Sequence, residues 1–366
     1  MSEFSASDGA YMAQALKLAT RGRYTAHPNP MVGCVLVRDG KVIGEGWHQC
    51  TGDPHAEINA LRDTGDAIQA TAYVTLEPCV HHGKTPPCVD ALIDAEIAEL
   101  VCAMSDPFDA VSGRGIAALE AAGIKVRNGL MQTEAETLNR GYLSRVQHGR
   151  PFVRVKIAAS IDGAVAMRNG ESQWITGPQS RADVQRLRAE SGAILSGIGT
   201  VLADDPAFTV RDAEYDLGPR QPLRAILDSD LRLPLSSSML RLAGKTLVYC
   251  SNDKNRAPLE DAGAEIIKIA SAEAGQIDIG AVLDDLGRRD INDLLVEAGP
   301  ALAGGLLVAK LADELVIYQA PHIMGSETQS MFTTPHWTEL ANRQALVITD
   351  TSPVGSDTRI TARLAD

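Results

Sequence analysis

The sequence predicts an α/β protein of two domains, and three observations carry that expectation. The chain has 366 residues, more than one average hydrophobic core holds. Apolar strand-like runs alternate with helix-like stretches, the pattern of layered α/β units. That alternation is interrupted at His148-Gly149-Arg150-Pro151, which reads as the boundary between a domain of residues 1–148 and one of residues 149–366.

Residues 8–21 read as an amphipathic helix with Met12, Ala15, Leu16 and Ala19 on one stripe. MVGCVLVRDGKVIGEGWH follows as a β-hairpin whose turn is Arg38-Asp39-Gly40-Lys41, because Asp-Gly tolerates the left-handed backbone a tight turn needs. DPHAEINALRD opens a helix, with Asp53 as N-cap and Pro54 at the first helical position. ATAYVTLEPC is a strand running into a loop, PPCVDALIDAEI starts a helix at Pro87, and AELVCAMSD is the next strand. Helix 114–122, strand IKVRNG and a helix over 132–147 complete a layered domain with a mainly parallel sheet. The second domain then brings strands PFVRVKIAAS, GAILSGIG, LRAILD, KTLVYC, EIIKIA, DLLVEAG and ELVIYQAP, with helices at 178–189, 278–289 and 301–309.

Composition narrows the function. A net charge of −13 opposes a nucleic-acid surface, which draws its affinity from clustered Lys and Arg. No apolar run reaches the roughly 18 residues of a membrane span, and the first twenty residues lack the basic and apolar regions of a secretory signal. The six cysteines are then reduced thiols or metal ligands in a cytoplasmic protein. Cys34, Cys50, Cys102 and Cys250 have no reading beyond packing. A small-molecule enzyme fits these constraints.

The remaining cysteines carry chemistry. His55-Ala56-Glu57 sits at a helix start, Glu77-Pro78-Cys79 ends a strand, and Cys88 opens another helix. One imidazole and two thiolates suit a catalytic zinc, whose fourth position stays open for water. Helix N-termini at the site favour thiolate over thiol at Cys88 and Cys79. Glu57 lies about 200° around a helix from His55; at a helix tip the one binds metal while the other shuttles protons, as hydrolytic deamination requires twice. Zinc deaminases carry H-x-E…P-C-x-x-C, whereas eight residues, VHHGKTPP, separate Cys79 from Cys88 here. Either cysteine alone reads as a small buried hydrophobe, and a structural zinc completed by His81 or His82 stays open.

These residues are where a family resemblance appears. NPMVGCVLVRDGKVIGEGWH…PHAE…TLEPCVHHGKTPPC closely resembles the deaminase domain of the bifunctional riboflavin-biosynthesis deaminase–reductases, in which the wide cysteine spacing is characteristic. KIAASIDG, GESQWITG, GTVLADDP and VEAGPALAGGLL resemble the reductase half of the same family, so the likeness covers nearly the whole chain, least clearly around 212–290. The resemblance implies a cytidine-deaminase-like three-layer α/β/α domain followed by a dihydrofolate-reductase-like α/β domain. It also implies one zinc per chain held by His55, Cys79 and Cys88, with Glu57 as proton shuttle. The substrate would be a small phosphorylated pyrimidine, the reductant NADPH, and the assembly a homo-oligomer. Asn29, His48, His81 and Lys84 would line the deaminase pocket. As plain alternatives, Asn29 caps a turn, His48 packs at a strand end, and Lys84 is a solvated loop lysine.

In the second domain, Gly197-Ile198-Gly199-Thr200-Val201-Leu202 lacks the third glycine of a dinucleotide fingerprint, and a turn explains its glycines equally well. Gly299-Pro300-Ala301-Leu302-Ala303-Gly304-Gly305 is the better phosphate site: glycines admit a close pyrophosphate and the following helix offers its amides, although packing around small residues is the alternative. By resemblance, Ala158, Trp174, Thr200, Asp204 and residues 299–305 contact NADPH, while Ser172, Arg188, Arg211 and Glu297 contact the sugar phosphate. Trp174 as a core residue and Arg188 as an exposed partner of Glu190 stay open. No general acid for the reduction is evident in the sequence.

Overall fold

The computed structural model describes residues 4–80, 87–215, 217–218, 220–270 and 277–365. The chain divides into two compact units, Met1–Gly149 and Arg150–Asp366.

The first unit begins with helix α1 (Ala6–Ala19), whose N-cap Ser5 and Asp8 form a capping box. Strands β1 (Gly33–Arg38) and β2 (Lys41–Trp47) make the expected hairpin, with Asp39 and Gly40 at φ 54° and 72°. Then come α2 (Ala56–Thr64), β3 (Thr71–Val74), α3 (Cys88–Asp94), β4 (Glu99–Cys102), α4 (Arg114–Ala121), β5 (Lys125–Asn128), α5 (Gln132–Leu138) and α6 (Arg140–His148). The sheet runs β2-β1-β3-β4-β5. It is mixed rather than mainly parallel: β1 is antiparallel to both neighbours, and only β3, β4 and β5 run together.

Alternating residues of β1 feed opposite faces. Cys34 and Leu36 pack with Ala56, Ala60, Leu92 and Leu119 of α2, α3 and α4, while Val35 and Val37 pack with Met12, Ala15, Ala135 and Tyr142 of α1, α5 and α6. The result is the three-layer α/β/α arrangement.

Three helix assignments depart from expectation. Helix α2 starts at Ala56 with His55 as its N-cap, two residues later than an Asp53 cap would give. The imidazole of His55 makes no capping bond because it points to the cysteines instead. Gly46 of β2 sets the depth of that helix: a Cβ there would stand 2.2 Å from the Ala56 carbonyl oxygen. The helix expected over 132–147 is broken at Asn139, whose buried amide bonds the backbone N–H and C=O of Met31 and takes a non-helical backbone. Pro87 is likewise the N-cap of α3, with Cys88 the first helical residue.

The second unit contains β6 (Phe152–Ser160), β7 (Ala164–Met167), α7 (Pro178–Glu190), β8 (Ala193–Gly197), α8 (Ile198–Asp204), β9 (Leu223–Leu227), β10 (Thr246–Cys250), α9 (Arg256–Asp261), β11 (Ala264–Lys268), α10 (Ile279–Arg288), β12 (Asp293–Glu297), α11 (Pro300–Val308), β13 (Glu314–Ala320), β14 (Thr328–Ser330), β15 (Leu346–Val354) and β16 (Asp357–Leu364). Its large sheet has the order β11-β10-β9-β8-β12-β6-β13-β16-β15. From β11 to β13 every pair is parallel, and the hairpin β15–β16 adds two antiparallel strands beside β13. The parallel strands are continuous apolar runs, such as TLVYC of β10, because helices cover both faces. Ile198 and Gly199, expected to end the strand GAILSGIG, instead open α8, and the C-terminal hairpin had no counterpart in the sequence reading.

Candidate zinc centre and reductase cleft

In the first unit the N-terminus of α2, the loop after β3 and the N-terminus of α3 meet. They bring together His55, Cys79 and Cys88, whose ligand atoms all lie within 4.8 Å of one another. His55 Nδ1 is 3.2 Å from Cys88 Sγ and 3.5 Å from Cys79 Sγ. A tetrahedral ion with Zn–N of about 2.1 Å and Zn–S of about 2.3 Å asks for edges of about 3.6 Å, so this donor set fits zinc. Nitrogen and sulfur donors of this kind are also what zinc prefers over hard cations.

The electrostatics favour a thiolate at Cys79 but not at Cys88, which keeps its proton, so the expectation of thiolates at both holds only for Cys79. The Cys88 thiol donates to Cys79, and that bond chiefly lowers the Cys79 pKa to about 4; burial opposes it, while His55 and the Cys88 amide assist. The amide N–H of Cys88 also donates to Cys79 Sγ at 3.4 Å, as expected of a helix N-terminus. Cys88 itself is pushed up by the same thiol bond and by burial. The Cys79 thiolate raises His55 as well, against burial. Glu57 sits in the first turn of α2, 3% exposed, with its pKa raised mainly by burial.

Among the pocket candidates, His48 is buried beside the centre, its ring edge-on to His55 with centroids 5.5 Å apart. The Pro54 carbonyl, 3.3 Å from His48 Nδ1, accepts the ring proton, and Nε2 accepts from Asn29 Nδ2 at 3.0 Å. Burial holds His48 below its ordinary pKa and therefore neutral. The Asn29 amide is thereby oriented with its oxygen free of that bond, a use beyond capping a turn. His81 and Lys84, with the alternative fourth ligand His82, lie outside the described residues.

The second unit gathers its candidates at the carboxyl ends of β6, β8 and β12, adjacent parallel strands where open α/β sheets place their ligands. Glu297 ends β12, and Arg188 of α7 binds it bidentately, Nε to Oε1 at 2.6 Å and Nη2 to Oε2 at 3.0 Å. Both are buried, so Arg188 is no exposed partner of Glu190, which pairs with Arg186 and Arg154. Burial pushes the Glu297 carboxyl up, but Arg188, Lys156 and Arg211 together outweigh it and hold it low. Arg211 is exposed, its backbone N–H bonded to Gln185.

Lys156, which the sequence reading missed, stands beside Glu297 across the β6–β12 pairing, its Nζ 4.0 Å from the carboxylate. Burial lowers its pKa, with Glu297 opposing and Arg188 assisting. The signal available in the sequence was a lysine inside the apolar strand FVRVKIAAS. Ala158 lies two residues further along the same strand face, half-buried.

Trp174 is 70% exposed and no core residue; the Arg181 guanidinium stacks 4.7 Å from its ring centroid. Its neighbour Gln173 donates to Asp204 at 3.1 Å, linking the loop before α7 to the end of α8, which also carries Thr200. Ser172 is half-buried in that loop. Residues 299–305 are the N-cap and first turns of α11 rather than an open loop: Gly299 is the N-cap and Pro300 the first helical residue. Gly304 serves packing, since a Cβ there would meet the Thr333 carbonyl oxygen at 2.0 Å, whereas space around Gly299 is open.

Residues 5–104 match the family model for the cytidine and deoxycytidylate deaminase zinc-binding region, and residues 151–355 match that for the RibD C-terminal domain. The chain is 48% identical over 360 residues to the riboflavin biosynthesis protein RibD of Escherichia coli (strain K12), covering 96% of this chain and 97% of that one. The Haemophilus influenzae protein of the same name is 42% identical, covering 99% and 98%. Acinetobacter baumannii RibD superposes with a TM-score of 0.91 at 40% identity over 98% of this chain and 99% of that one. A diaminohydroxyphosphoribosylaminopyrimidine deaminase/5-amino-6-(5-phosphoribosylamino)uracil reductase from Thermotoga maritima superposes with 0.87 at 31% identity, over the same shares. With matching models in both units and likeness along its whole length, the chain belongs to the bifunctional riboflavin-biosynthesis deaminase–reductases, which join a zinc-dependent deaminase to an NADPH-dependent reductase.

Proposed function

We propose that the first unit hydrolyses the 2-amino group of 2,5-diamino-6-ribosylamino-4(3H)-pyrimidinone 5′-phosphate, and that the second reduces the ribosyl group of the product to ribityl. The observation that carries the first half is the cluster of His55 Nδ1 and two cysteine sulfurs beside the buried carboxylate of Glu57. His55, Cys79 and Cys88 hold the zinc. When bound, that ion lowers the pKa of its water towards ~7.

Glu57 holds and moves the protons. Its carboxylate takes one from the attacking water and passes it to the ring nitrogen, then takes the second from the hydroxyl so formed and passes it to the departing amino group. The carbon–nitrogen bond breaks, ammonia leaves, and the water oxygen becomes the carbonyl of the product. Burial raises the Glu57 pKa, which makes its carboxylate a better proton acceptor than a solvated one. Asn29, held by His48, presents its amide oxygen as an acceptor for substrate N–H groups; His81 and Lys84 are assigned to the same pocket by family resemblance.

In the second unit, the chemistry that bound NADPH would supply is a hydride for the ribosyl carbon. Ala158, Trp174, Thr200, Asp204 and residues 299–305 are assigned to the cofactor, the N-terminus of α11 offering amides to a phosphate. Ser172, Arg188, Arg211 and Glu297 are assigned to the sugar phosphate. Lys156 is the proton donor to the opening ribose oxygen: its ammonium is buried beside Glu297, and burial makes its proton easier to give. The protein works in the cytoplasm as a homo-oligomer, a reading supported by its family.

Glu57→Gln tests the assignment. Ammonia release should fall at least about a hundredfold, with one zinc still bound per chain and NADPH oxidation on the deaminated intermediate unchanged. Unimpaired deamination in this variant would remove Glu57 from its role.

A further inference from the structure

Glu77 precedes Cys79 by two residues, and its carboxylate, 3% exposed, is fully occupied elsewhere. Oε1 accepts from the amides of Gly115 and Ile116 at 2.9 and 3.3 Å. Oε2 accepts from Gly113 and Asp106 at 3.0 and 3.1 Å. Gly113 is the N-cap of α4 and has no side chain to cap with, so Glu77 satisfies that helix start from another segment. The approach is close: a Cβ on Gly115 would stand 2.2 Å from the Pro78 carbonyl oxygen. The backbone of the same segment is tied at both ends. Glu77 N–H donates to the Met104 carbonyl at 3.0 Å, and the Cys79 carbonyl accepts from Val89 of α3 at 3.3 Å.

We infer that Glu77 is a positioning residue for the zinc centre: its carboxylate clamps Glu77-Pro78-Cys79 onto the start of α4, which aims the Cys79 sulfur at His55 and Cys88. The inference rests on the ligand assignment proposed above. The chemistry selects a carboxylate of this length. Four converging N–H groups need four lone-pair sites and no donor. A glutamine would turn its own NH₂ towards two of those amides, and an aspartate would fall one methylene short. Partners that orient a metal ligand in this way govern metal retention, by roughly 10–100-fold when removed.

Zinc release from the full-length protein to a chromogenic chelator is the measurement. Glu77→Gln should release zinc at least about tenfold faster than wild type, with Glu77→Asp between the two. The thiolate-to-cobalt absorption of the cobalt(II)-substituted Glu77→Gln protein should shift as well, while NADPH oxidation by the second unit stays at wild-type rate. Asp8→Asn is the control, because Asp8 is a buried, ion-paired carboxylate of α1, on the opposite face of the sheet from α2, α3 and α4. It should lower the thermal midpoint without hastening release. Release from Glu77→Gln no faster than from wild type, or no faster than from Asp8→Asn, overturns the inference. If Glu77→Gln does not fold, Glu77→Asp takes its place under the same criterion. Cys79→Ala separates the two levels: full zinc retention there sinks the ligand assignment, whereas zinc loss there with slow release from Glu77→Gln sinks only the role of Glu77.

Discussion

Glu57 shows how one residue acquires its chemistry from where a helix begins. Because α2 starts at Ala56, His55 keeps an extended backbone and its ring leaves the helix direction, while Glu57 stands in the first turn beside it. In mid-helix the same two residues would diverge. The pair Arg188–Glu297 illustrates the opposite case, a buried ion pair between residues 109 positions apart. Removing one charge of such a buried pair leaves its partner uncompensated, at a cost of about 3–5 kcal/mol. Glu297→Gln should therefore lower the thermal midpoint of the second unit and abolish most NADPH oxidation, with ammonia release intact. Arg188→Lys should rescue little, since an ammonium lacks the bidentate fork. Differential scanning calorimetry with both assays checks these outcomes.

Among elements, α1 is fastened by charge as well as by its apolar stripe. Asp8 caps the helix, accepts from Tyr73, and receives both Nη groups of Arg127 from β5 at 3.0 and 3.1 Å. The Arg127 guanidinium, helped by Tyr73 and Ser5 against burial, holds the Asp8 carboxyl well below the usual carboxylate range. A depressed pKa means that the unfolded chain binds the proton first on acidification. The contribution is thus full above the ordinary carboxylate value of about 3.9 and disappears as pH falls below it. Asp8→Asn should destabilise the first unit by about 3 kcal/mol at pH 7 and flatten its stability profile below about pH 4, as urea titrations across pH would show.

A second element-scale case has the reverse sign. Asp293, at the start of β12, is raised to about 6, chiefly by burial, with Glu190 and Glu314 adding to it and Arg154 and Arg220 opposing. Here the folded state keeps the proton that the unfolded chain has lost. Stability from this group declines as pH rises from about 4 towards 6, and Asp293→Asn should raise the unfolding midpoint more at pH 8 than at pH 4.

The whole molecule carries two reactions with separate chemical demands. Stripping zinc should stop ammonia release while leaving oxidation of NADPH by the deaminated intermediate. Incubation with the diaminopyrimidinone phosphate should yield the deaminated product alone without NADPH, and the ribityl product with it. Product masses check both halves together; a ribityl product still bearing the 2-amino group would show that the order of steps is wrong.

The sequence by itself determined the donor types, their order, and the α/β class of both units, because these depend on residue chemistry and on short-range periodicity. His-x-Glu, Glu-Pro-Cys and Pro-Pro-Cys announce a zinc deaminase before any coordinate is known, and continuous apolar runs such as KTLVYC announce buried parallel strands. Tertiary structure alone decided that Lys156 stands beside Glu297, that Asn139 leaves the helix to bind Met31, and that Leu346–Val354 forms a strand. The strand β15 is exposed along nearly its whole length and shows no one-sided apolar alternation, so no local pattern marks it. Pairing between distant segments is set by which surfaces fit and which charges must be matched once buried, and neither is written in neighbouring residues.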